Sequence, residues 1–160
     1  MATAHPASTA AAFSVRPVDK HNLDAVLRLQ VAADQKHLVA PVERSLAQVA
    51  YEPLGRALAL FDGDTAVGML LLYDARGDQK KPANQLYLWR LLVDAACQRR
   101  GYGRQAMQWI IDEARRQAYA EVGLSHVDAA GHAGGFYERL GFAYTGEVDD
   151  GERKMLLRLA

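Results

Sequence analysis

Gln98-Arg99-Arg100-Gly101-Tyr102-Gly103-Arg104 is the stretch of this chain whose residue types could hold a charged ligand. Two glycines one residue apart let the backbone turn tightly and approach a ligand with no Cβ in the way. Where such a turn opens a helix, successive N–H groups converge on an anion and the helix dipole adds to their pull. Arg99, Arg100 and Arg104 bring three positive charges to the same point. That is chemistry for a phosphate or pyrophosphate; read for structure alone, it is a glycine-rich turn with solvated arginines. The stretch lacks the Gly-Lys-Ser/Thr ending of a triphosphate loop, and its glycines are not spaced as in the dinucleotide fingerprint. Cys97, beside the loop and without a Cys-His arrangement, reads as a small apolar residue. His126 and His132 have no third ligand, so no metal is expected. Tyr87 and Trp89 share one strand face by period two and serve as core or as walls of a substrate pocket. Glu43, Glu52, Asp34, Asp74 and His126 could each take a proton, but such residues are more often solvated surface groups.

The elements that must position these residues follow from hydrophobic patterning. Phe13–Val18 alternates like a strand, with Pro17 placing it at an edge. Leu23, Val26, Leu27 and Val31 repeat with helical period behind a cap at Asp19 or Asn22, and a second helix is expected over Ser45–Glu52, closed by Pro53. The runs 56–61 and 65–73 flank Asp62-Gly63-Asp64, a hairpin signature because the tight turn needs positive φ. Residues 74–84 are a polar loop. The run 85–93 is apolar enough to be buried on both faces and therefore central. The glycine loop then opens a helix to about Ala118, with Ala106, Met107, Ile110, Ile111 and Ala114 as its stripe. A short strand over 121–125, a helix over Phe136–Leu140 stopped by Gly141, and closing strands over 142–147 and 154–159 complete an α/β order.

The 160 residues carry 19 basic and 19 acidic side chains. A chain that neutral is not built to bind nucleic acid or a membrane surface. One cysteine excludes an internal disulfide framework. No apolar run approaches the roughly 20 residues of a membrane-spanning helix, and residues 1–12 lack the basic start and apolar centre of a secretory signal. They read as a disordered tail ahead of a domain over 13–160, and the cytoplasm is the expected compartment.

Leu91-Leu92-Val93-Asp94, the stretch Gln98–Gly103 and Phe136-Tyr137-Glu138-Arg139-Leu140-Gly141-Phe142 together resemble the GNAT superfamily of acetyl-CoA-dependent N-acetyltransferases, over residues 13–160. More narrowly, residues 87–94 and Gly146-Glu147-Val148-Asp149 resemble the bacterial diamine and spermine/spermidine acetyltransferases. The resemblance implies a single-domain α/β fold, a mixed and mostly antiparallel sheet with helices on both faces, in which strand 85–93 splays from strand 121–125 and coenzyme A lies in the gap. It implies acetyl-CoA as co-substrate, its pyrophosphate on Gln98, Arg99, Arg100, Gly101, Tyr102, Gly103 and Arg104. The pantetheine arm falls to the backbone of Leu91, Leu92 and Val93. A backbone N–H near Leu91 or Leu92 becomes the oxyanion donor, and Tyr137 the acid facing the departing thiolate. Two positions depart from the pattern: Ala130 stands where relatives often have Asn, and Trp89 where polyamine-acetylating relatives commonly have an acid. The expected activity is acetylation of a primary amine of a small molecule, a polyamine among the candidates. An amino acid, an aminoglycoside-like amine or a protein N-terminus stay open as acceptors, as do a non-catalytic coenzyme A sensor and a homodimer. The base is unassigned.

Overall fold

Asp62 pairs with Thr65, so Gly63 and Asp64 form the turn between β2 (Gly55–Asp62) and β3 (Thr65–Asp74), and Gly63 takes the positive φ, 59°, that the turn requires. This hairpin seeds a sheet in which the computed structural model, describing residues 12–160, adds β1 (Phe13–Pro17), β4 (Gln85–Val93), β5 (Glu121–Val127), β6 (Ala143–Asp149) and β7 (Glu152–Arg158). Apart from Ala12, the tail expected to be disordered lies outside the described residues. The strand order is β1-β2-β3-β4-β5-β7-β6. Every pairing is antiparallel except β4 with β5, so β4 is the middle strand of seven and β1, with its proline, an edge.

Helices cover both faces. On one, α3 (Tyr102–Arg116) and α4 (Gly134–Arg139) pack Met107, Ile110 and Tyr137 onto Leu60, Leu70, Leu86 and Leu124. On the other, α1 (Leu23–Leu27) and α2 (Val42–Ala50) bring Val26 and Val42 onto Ala59, Met69 and Leu71. Leu70 and Leu71 are both fully buried although they point to opposite faces, so β3 is as enclosed as β4. Each such side chain contributes about 1.5–3 kcal/mol through burial.

Three helix boundaries differ from those read in the sequence. Val31 is not on α1, because Gln30 is drawn out of the helix: its N–H donates to the Asp94 carboxylate (2.9 Å) and its carbonyl accepts from Ala95 (2.7 Å). The helix expected from Ser45 starts at Val42, directly after Pro41, and ends at Ala50 ahead of Pro53. α3 starts at Tyr102 because Gln98 is extended and Arg99 and Gly101 lie in the left-handed region, at φ 63° and 84°.

Candidate active site

β4 and β5 pair only from Gln85↔Glu121 to Leu88↔Leu124. Past that rung β5 continues with β7 as far as Val127↔Glu152, and β4 continues with β3. Trp89 causes the parting. Leu71 pairs with Arg90 and Leu72 with Leu88, which leaves Trp89 as the extra residue of a β-bulge. Two consequences follow. Trp89 and Arg90 both turn toward the α2 side, Trp89 packing on the core there and Arg90 donating to Ser45 Oγ of α2 (3.1 Å). The backbone of β4 beyond Leu88 is also left without a ladder partner on its β5 side, an open edge that can bind an extended chain.

The gap is a cleft of about 580 Å³. Leu91, Leu92 and Val93 form one wall, with Ser125, His126 and Glu152 opposite and Tyr137 from α4 within. A strap from the α1–α2 connection closes over it: His37 Nε2 lies 3.0 Å from the Ala130 carbonyl, across the cleft in the β5–α4 loop. Gln98 ties the strap to the glycine loop, its amide donating to Gln35 Oε1 (2.7 Å) and to the Val93 carbonyl (3.1 Å). Gln98 thus shapes the loop rather than reaching outward.

Arg99, Arg100, Gly101, Gly103 and Arg104 sit at the start of α3, next to the cleft but not in its lining. No side chain caps this helix, and among the described residues the three arginines form no ion pair. A Cβ added at Gly101 would meet nothing within 4 Å. An uncapped helix start in open space, ringed by free guanidinium groups, fits an anionic ligand. Tyr102 differs from its neighbours. Its side chain is buried, stacks on Phe13 and donates to the Asp62 carboxylate, a bond that pushes its pKa up. Only its backbone is available to a ligand at the loop.

Tyr137 is buried, and desolvation alone pushes its pKa up to about 12. Its hydroxyl has no hydrogen-bond partner among the described residues. Of the proton acceptors named from sequence, only His126 lines the cleft, and both its ring nitrogens are engaged, with the Val127 carbonyl (3.0 Å) and the Tyr144 hydroxyl (2.9 Å). His132 stacks on it, ring centroids 4.7 Å apart. Asp74 instead caps a turn and binds Arg76, and Glu43 borders a separate hollow. Cys97 is half-buried against the α3-side core. The cleft adds Arg44, Arg90, Ser125 and Glu152, which sequence did not single out. Burial and the neighbouring Arg44 pull the Arg90 pKa down, and Glu152 opposes them.

Tyr87 and Trp89 do share a wall. Both line a second cavity of about 490 Å³, on the part of the sheet face beside α2, and Trp89 also borders the cleft. Glu52, Glu121, Glu147 and Asp149 line this cavity together with Tyr73, against Lys81 and Lys154.

This geometry has close counterparts. A spermine/spermidine N(1)-acetyltransferase of Bacillus subtilis (strain 168) is 24% identical over 153 residues, 92% of this chain and 99% of that protein. An acetyltransferase from Thermus thermophilus superposes with a TM-score of 0.74 at 21% identity, over 92% of this chain and 97% of the other. The PaiA N-acetyltransferase of Thermoplasma acidophilum, solved with coenzyme A, gives 0.65 at 15%, over 92% and 99%. The model of the acetyltransferase (GNAT) family matches residues 23–142, from α1 through the glycine loop to Phe142. With the parted strands and the uncapped, arginine-flanked helix start in place, this chain belongs to the GNAT family of acetyltransferases, enzymes that use acetyl-CoA.

Proposed function

We propose that this protein transfers the acetyl group of acetyl-CoA to a primary amine of a small molecule, a polyamine first among the candidates. The observation that carries the reading is the parting of β4 and β5 into a cleft that has an anion-binding helix start beside it and Tyr137 within it. The coenzyme supplies an acetyl group on a thioester. The residues that would hold it are the α3 start, through the N–H groups and arginines of residues 99–104, and the open backbone edge at Leu91, Leu92 and Val93. An N–H of that edge is the candidate donor to the carbonyl oxygen. Tyr137 keeps its proton at neutral pH and can give it to the departing sulfur.

The polyamine reading draws on the Bacillus relative and on the second cavity. A polycation needs carboxylates to offset its desolvation. Trp89 supplies none, but Glu52, Glu121, Glu147 and Asp149 stand around it and Tyr87, and the indole offers a cation–π face. A second reading, an amine that also bears a carboxylate, such as an amino acid, draws on Arg44 and Arg90 in the cleft. Incubation with acetyl-CoA and a panel of diamines, polyamines and amino acids, with thiol release as the signal, decides. Release with polyamines supports the first reading, and release with amino acids alone the second. Tight coenzyme binding with no release for any amine overturns both.

A further inference from the structure

Glu152 opens β7 opposite Val127, at the mouth where β4 has left β5. The Tyr87 hydroxyl donates to Ser125 Oγ (2.7 Å), and Ser125 Oγ donates to Glu152 Oε2 (2.5 Å). Glu152 is half-buried in the same cleft as Tyr137 and forms no ion pair among the described residues. It is the one carboxylate of that lining. One of its oxygens is held by Ser125, which fixes the carboxyl plane and leaves the other oxygen without a protein donor.

We propose that Glu152 is the general base that takes the proton from the acceptor's ammonium group, with Ser125 and Tyr87 as its positioning residues. The assignment rests on the acetyl-transfer reading above. In the step, an N–H bond of the ammonium breaks and an O–H bond forms on the free oxygen of Glu152. The nitrogen lone pair so released forms the C–N bond to the acetyl carbonyl carbon. The C–S bond breaks, its electron pair leaves on sulfur, and sulfur takes the Tyr137 proton. Tyr137 regains a proton from the new amide nitrogen through water, and Glu152 returns its own to solvent. One proton is released per turnover. The titratable groups that face Glu152 across the cleft are Arg90 of β4, Arg44 of α2, Lys36 and His37 of the strap, His126 of β5 and His132 of the following loop.

The test is Glu152→Gln, which keeps the shape and an oxygen for Ser125 to donate to, assayed for thiol release across pH beside the wild type. The expected loss in kcat/KM for the amine is about 10²-fold at neutral pH, the lower end for general acid–base catalysis, with KM for acetyl-CoA unchanged. The variant depends on amine that is already neutral in solution. Its deficit should therefore shrink about tenfold per pH unit as pH climbs toward the amine's own pKa, near 10 for an alkylamine. Ser125→Ala should show a smaller loss with the same pH trend. A deficit that stays constant with pH marks a carboxylate that only binds the cation and overturns the proposal, as does a wild-type rate in a folded Glu152→Gln. A wild-type chain inactive with every amine overturns the acetyl-transfer reading itself.

Discussion

Burial holds the Tyr137 hydroxyl in its protonated form far above neutral pH, and the cleft leaves it without a protein partner. A group in that state can donate a proton when charge develops on a leaving sulfur, and it adds little before then. Tyr137→Phe should accordingly lower kcat about 10²-fold and leave KM for acetyl-CoA nearly unchanged in steady-state assays. A tyrosine that only packed the core would lose about 1 kcal/mol of stability with its hydroxyl and keep full turnover. Tyr137 was legible in the sequence because Phe-Tyr-x-x-Leu-Gly-Phe places it in a short helix ended by Gly141, as found. Glu152 was not. It precedes a closing strand with no motif around it, and only the β5–β7 ladder brings it to Ser125 and the cleft.

At the scale of elements, the start of α3 joins backbone conformation to ligand chemistry. Gly101 sits at φ 84°, which costs an L-residue roughly 1–2 kcal/mol, while the space its Cβ would enter is open. Gly101→Glu therefore meets no protein atom but puts a negative side chain where an anion is to bind. Acetyl-CoA binding should be abolished in isothermal titration of a variant whose circular dichroism is unchanged. At Gly103 a Cβ would lie 3.7 Å from Phe136 Cζ, an ordinary contact. Gly103→Ala should thus fold and bind nearly as the parent does, whereas Gly103→Glu should lose the coenzyme. Unchanged affinity in both glutamate variants would give the loop another role. The bulge at Trp89 is the second decisive element. It opens β4 from β5 and also turns Arg90 toward α2, where simple alternation would have sent it to the opposite face.

For the whole molecule, the pKa of Tyr137 connects the site to global stability. Below pH 10 the tyrosine is neutral in both folded and unfolded chains, and the stability of the fold is undiminished by it. Between pH 10 and about 12 the unfolded chain gives up this proton and the folded chain retains it, so stability falls as pH rises, by about 3 kcal/mol at the upper end. Urea unfolding at about pH 9 and about pH 11.5 should show a smaller alkaline loss for Tyr137→Phe than for the wild type. Tyr73, Tyr87, Tyr102 and Tyr119, also raised, are common to both chains and cancel in the difference. An equal loss in the two chains would place the ionisation elsewhere. The sequence by itself determined the order of elements, the central place of β4, the hairpin at Gly63 and the loop that opens α3. Each rests on information local to a few residues, in hydrophobic period, turn chemistry or glycine spacing. Tertiary structure alone decided that α1 ends before Val31, that β4 bulges at Trp89, and that Ser125 and Glu152 meet Tyr137 in one cleft. Those outcomes depend on bonds between residues far apart in the chain, Gln30 with Asp94 and Ser125 with Glu152, whose pairing no local pattern encodes.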